Sequence, residues 1–135
     1  VYHLLSLLES DAASRVAAVA TGKQIQELAE LHAELEAATG DRDQFFALNE
    51  RFHLRILEIA DNRWRLQMVA DLRKVMKLNR HTSLLREGRV EESLAEHRAI
   101  LAAIKARKPQ DAQLAVQAHF ASGLRAAEDG ATARA

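Results

Sequence analysis

A single proline, Pro109, punctuates 135 residues whose apolar side chains otherwise recur at three- and four-residue spacing. That period marks one face of an amphipathic helix, and six such patterns can be read along the chain. The first runs from about Tyr2 to Ala20 through Leu4, Leu5, Leu8, Ala12, Val16 and Val19, and Thr21-Gly22 stops it. The second, from Lys23 to Ala38, carries Ile25, Leu28, Leu31 and Leu35, with Gly40 just past its end. Asp41 or Asp43 caps a third that reaches Ala60 and turns Phe45, Leu48, Phe52, Ile56 and Ile59 inward. After the Asp61-Asn62 turn, a fourth spans Arg63 to Thr82 with Leu66, Val69, Leu72, Val75 and Met76 on one side. Glu87-Gly88-Arg89 breaks the chain before a fifth, Val90 to Ala106, and the last runs from Pro109 or Gln110 to about Glu128. Short connections make neighbours antiparallel, so the expected fold is an all-α antiparallel bundle of six helices without β-sheet over residues 1–128. Residues 129–135 read as a frayed, flexible tail.

Nineteen Lys and Arg balance nineteen Asp and Glu, so nothing in the net charge attracts nucleic acid or an anionic membrane surface. There is no cysteine, which removes disulfides and thiolate metal sites. No apolar run is long enough to span a bilayer, and a cytoplasmic protein is expected. Periodic sequence starts at Val1 without a cap, as expected of a piece of a longer protein.

Against this bland background three histidines stand on inward faces. His97 lies between Leu94, Leu101 and Ile104; His119 lies in a stripe of small residues, Ala112, Val116, Gly123 and Ala126; His53 shares its face with Asn49, Ile56 and Ala60. His97 and His119 are equidistant from Lys108, so an antiparallel fold-back levels both rings about 16 Å from the turn, at about 1.5 Å of rise per residue. Three neutral imidazoles with an oxygen ligand suit zinc, nickel, copper or iron; the competing reading is a set of hydrogen-bonded core histidines. His3, His32 and His81 read as non-ligands, with His32 at a solvent edge and His81 closing the fourth helix.

Taken in order, these stretches resemble the FCD domain, the ligand-binding C-terminal domain of GntR-type transcription factors of the FadR group. The resemblance rests on Phe52-His53, on Asn62-Arg63-Trp64-Arg65-Leu66 displaced by one position, on Glu96-His97 through Ile104, on Ala115 through His119-Phe120, and on Leu8-Glu9 with Ala12-Ala13. It implies a bundle of six or seven helices, usually a homodimer. It also implies one divalent ion (zinc, nickel or similar) on Asn49, His53, His97 and His119. A small carboxylate effector would bind on or beside that ion, and DNA would be contacted only through an N-terminal winged helix-turn-helix domain absent from this chain. Two residues depart from the family's pattern: Asn49 stands where an aspartate is usual, and Leu5 where the first helix often carries an arginine.

Arg73, near His53 in height, and Arg80, seven residues on along the same side of the fourth helix, are the candidate anion contacts, with Asn79 and Gln117 as weaker hydrogen-bonding candidates. Two other functions compete with an effector sensor. A mononuclear metalloenzyme would need Glu50 or Glu96 as a general base. A metal-free helical interaction module would keep the histidines as core.

Overall fold

The computed structural model describes residues 1–134, with side chains over residues 1–129. Seven α-helices, and no strand among the described residues, make up the fold: α1 (Tyr2–Val19), α2 (Gly22–Ala37), α3 (Arg42–Ile59), α4 (Arg63–Val75), α5 (Lys77–Ser83), α6 (Arg89–Lys105) and α7 (Pro109–Arg134). No helix among these residues is long and apolar enough to cross a membrane.

Polar residues at the connections set where the helices begin. Thr21 and Gln24 form a reciprocal capping box at α2, each side chain accepting from the other's backbone N–H at 3.1 and 2.9 Å. Asp41, rather than Asp43, caps α3 by accepting from the Gln44 N–H at 3.1 Å, and Asn62 caps α4 through the Arg65 N–H at 3.0 Å. Two turns close through left-handed residues that are not glycine, Asp61 (φ 57°) and Arg107 (φ 59°). Pro109 then starts α7, where its missing N–H leaves no intrahelical bond unmade.

Two boundaries differ from those expected. The fourth helix is broken at Met76 (φ −90°, ψ 3°), so α5 turns away from α4 and packs on α7. No proline or glycine marks the break, and the apolar spacing continues through it; tertiary packing makes the bend. α7 continues beyond Glu128 to Arg134, so residues 129–134 are helical backbone, and Ala135 lies outside the described residues. The alanine-rich end sustains the helix, and Gly130 costs only about 1 kcal/mol relative to alanine.

The long helices α1 and α7 pack side by side; α6 lies against α7, α1 and α2, and α3 closes the bundle against α2 and α1. A core of Leu5, Val16, Leu28, Leu35, Phe45, Phe52, Ile100 and Ile104 fills the space between them. Phe52 is fully buried and its ring stacks on His97 with centroids 4.9 Å apart, so the core packs directly onto the inward histidines. Phe52→Ala should therefore cost about 3–5 kcal/mol of stability; urea unfolding that shows a loss below about 1 kcal/mol would place this ring outside the core.

Candidate metal centre

His53 on α3, His97 on α6 and His119 on α7 meet inside the bundle. Their ring centroids are 5.0 Å (53 to 97), 4.7 Å (97 to 119) and 5.1 Å (53 to 119) apart. One ring nitrogen from each falls within 4.8 Å of the others. His53 Nε2 and His97 Nε2 are 3.1 Å apart. Two nitrogens bound to one ion at about 2.1 Å stand roughly 3.0–3.4 Å from each other, so this spacing fits a shared cation. The levelling of His97 and His119 about the Lys108 turn is as expected.

The outer nitrogens are held by carboxylates. His53 Nδ1–H donates to Glu9 Oε1 at 3.0 Å, and His119 Nδ1–H donates to Glu96 Oε1 at 2.6 Å. Each bond leaves Nε2 of its ring as the free lone pair, which is how second partners select the ligating atom of a histidine. Glu9 is itself gripped by Arg73, whose Nε and Nη2 donate at 2.9 and 2.8 Å; Arg73 Nη1 and Arg80 Nε both donate to Glu50 Oε1 at 2.8 Å. Arg89 donates twice to Glu96, at 3.0 Å each.

Asn49, one helical turn before His53, is buried and its Oδ1 has no hydrogen-bond partner. A buried carbonyl oxygen left bare is costly, and this one lines a small cavity beside His119. Arg80, Arg89, Tyr2, Ser83 and Ser93 also border that cavity. Its volume is about 30 Å³, room for roughly one or two waters. Gly123 borders it as well, and a Cβ there would stand 3.6 Å from Arg89 and 3.7 Å from Tyr2.

Arg73, Asn79, Gln117, His32 and His81 do not border that cavity, and His32 is not at a solvent edge as expected. Arg73 matches His53 in height, but its guanidinium is consumed by Glu9 and Glu50 and does not border the cavity. Asn79 is exposed, off the buried stripe of Val69, Arg73, Met76 and Arg80. Gln117 faces a separate surface pocket with His3. His32 is buried, 5% exposed, with its ring edge-on to Phe52 and His97; the stripe Leu28, His32, Leu35 carried that signal. His81 stacks on Phe46, 3.8 Å between centroids, away from the triad. Glu9 was legible in the same way, as a carboxylate on the buried stripe Leu5, Ala12, Val16. Arg89 was not, because it sits at a helix boundary that reads as loop.

Burial holds the His53 imidazole well below its ordinary value, and nearby Arg73 adds to this. Burial does the same to His97, assisted by His119 and His53, and lowers His119 against the opposing pull of Glu96. Burial pushes Glu96 up, yet bonds from His119 and Arg89 outweigh it and hold this carboxyl at about 2. All three rings are therefore neutral near pH 7 and present lone pairs. Because the folded values lie below 6.5, the unfolded chain binds more protons as pH falls past 6.5, and stability drops with it. Between about pH 6.5 and 5, unfolding free energy should fall by about 1.4 kcal/mol per pH unit for each such proton. Urea titrations of the metal-free protein across that range check this, and His97→Gln should flatten the slope; an equal slope in both proteins would contradict it.

The FCD domain family matches residues 1–122 of this chain. No curated protein matches it significantly. Among solved structures the fold is similar to Streptococcus agalactiae GntR, with a TM-score of 0.77 and 28% sequence identity over 90% of this chain and 55% of that one. The chain thus spans about half the length of that protein. With the family matched across most of its length, and with the all-helical bundle to go with it, the chain belongs to the FCD domain family.

Proposed function

We propose that this domain is the effector-sensing and dimerising part of a GntR-type transcriptional regulator of the FadR group, and not an enzyme. It holds one divalent ion, zinc, nickel or similar, on His53, His97, His119 and Asn49 Oδ1, and takes a small carboxylate at the adjoining cavity. DNA contact belongs to a winged helix-turn-helix domain outside these residues, in a cytoplasmic protein. The observation that carries this reading is the convergence of three neutral imidazoles beside a cavity bordered by a bare amide oxygen and a guanidinium. A bound divalent ion would supply a fixed positive anchor for a carboxylate oxygen.

Charge bookkeeping inside the bundle favours an anionic ligand. Glu9, Glu50 and Glu96 are matched by Arg73, Arg80 and Arg89, so the ionic network closes on itself. The proposed ligands are all neutral, which leaves no protein carboxylate to offset the cation. Arg80 is the contact we assign to the effector. Its Nε shares Glu50 with Arg73, it borders the cavity, and burial together with Arg73 pushes it below its ordinary value.

The cavity is too small for an organic acid at its present volume, so binding must select a more open arrangement of the helices that border it. A ligand shifts an equilibrium only by its preference for one state. Tyr2 borders the cavity and Glu9 holds His53, so α1 registers that opening. A metalloenzyme lacks comparable support: Glu50 is engaged by two arginines, and Glu96 by His119 and Arg89. The exposed row Trp64, Met68, Val75 and Leu78 along α4 and α5 supports pairing with a second copy. Leu78→Glu should shift the protein toward monomer in sedimentation experiments, and an unchanged dimer would remove that face from consideration.

The test is calorimetry with Zn²⁺ and a panel of small mono- and dicarboxylates. Wild-type protein should bind Zn²⁺ stoichiometrically and then an acid. Asn49→Asp should tighten Zn²⁺ and weaken the acid, each on the order of tenfold, because one charge at 4 Å is worth up to about 4 kcal/mol at an effective dielectric of 20. The reverse order would refute the assignment of Asn49.

A further inference from the structure

His32 is the one imidazole outside the triad that packs against it. Its ring, on α2, lies edge-on to His97 with centroids 6.0 Å apart. Among the described residues five buried side-chain nitrogen or oxygen atoms have no hydrogen-bond partner, and two of them, His32 Nε2 and His97 Nδ1, belong to these adjacent rings. Each orphan costs about 1–3 kcal/mol if it stays bare.

The chemistry of the two atoms is complementary. A histidine that offers Nε2 to a cation carries its proton on Nδ1 and must donate from there. His53 donates to Glu9 and His119 to Glu96, but no carboxylate serves His97. The His32 ring is buried against the Leu94 backbone of α6, which opposes the lowering by burial, and its Nε2 has no partner. With its proton on Nδ1, toward that backbone, the neutral ring keeps a lone pair on Nε2. Without a cation the 3.1 Å contact of His97 Nε2 with the His53 Nε2 lone pair draws the His97 proton to Nε2; a cation on Nε2 moves it to Nδ1, and a buried donor then adjoins a buried acceptor.

We propose that His32 is the positioning residue of the third metal ligand: its Nε2 accepts from His97 Nδ1–H, across the gap between the rings or through one bridging water, and so fixes Nε2 of His97 as the ligating atom. A neutral acceptor suits this side of the bundle. Glu9 and Glu96 are each offset by a buried arginine, whereas the arginine nearest His32 in this part of the fold, Arg98, is exposed and paired with Glu36. A third carboxylate here would be an unpaired buried charge. The inference rests on the metal-binding reading above.

Zn²⁺ affinity of the full chain, by chelator competition, separates the cases. His32→Phe keeps a ring against Phe52 but removes the acceptor, and His32→Gln keeps an acceptor. His32→Phe should weaken Zn²⁺ about 10–100-fold, leave the melting temperature of the metal-free protein unchanged or higher, and be largely rescued by His32→Gln. In Zn²⁺-loaded wild type, ¹⁵N shifts should place the His97 proton on Nδ1. Wild-type Zn²⁺ affinity in His32→Phe, or a His97 proton on Nε2, would overturn the proposal while leaving the metal site intact. Absence of Zn²⁺ binding by wild type would overturn the metal site itself and this role with it.

Discussion

A carboxylate at the centre of a helical bundle is tolerable only when its lone pairs find donors, and Glu9 meets that condition through His53 and Arg73. The pair Glu9–Arg73 is 2% and 3% exposed, so desolvation falls on both ions. Such a pair adds little net stability, but removing one member strands the other at a cost of about 3–5 kcal/mol. What the pair contributes is position. It ties α1 to α4 and leaves one acceptor oxygen aimed at His53, so the orientation of that ring follows from an ionic contact between two other helices.

The same logic is repeated on the far side of the triad, where Arg89 and Ser122 sit in the network that fixes Glu96 against His119. Two of the three imidazoles are thus oriented by charged clamps, carboxylate inside and guanidinium outside. The bundle keeps these clamps neutral in sum. Glu96 illustrates the balance: burial alone would raise it, and the donors around it win.

Much of this was legible before the structure. The all-helical bundle and most helix spans follow from the apolar period, and the meeting of His97 with His119 follows from equal distances to one turn, because rise per residue is constant in a helix. The break at Met76 was hidden because a bend between two helices of the same period leaves the pattern unchanged. Arg80, two turns beyond Arg73 on the same buried stripe, reaches Glu50 and the cavity, while Asn79 lies in solvent. Arg73 could be placed in height but not in allegiance, since its partner Glu9 lies on a helix remote in sequence. His32 shows a different failure. It sat on a visible stripe with Leu28 and Leu35, and its polarity was weighed more heavily than its spacing.

The departure at residue 49 gains its physical meaning from the clamps. With aspartate there, the site would hold a fourth carboxylate with no guanidinium to match, because Arg73, Arg80 and Arg89 already face Glu9, Glu50 and Glu96. A cation would then be the only compensation for that charge. With asparagine, the buried network is neutral by itself, and the bare Oδ1 asks only for a dipole's partner. On the function proposed above, the uncompensated charge would lie on the bound cation and be met by the ligand. On that reading, such a site would depend on the arriving anion for its electrical balance, and ligand binding would be coupled to the opening of the cavity.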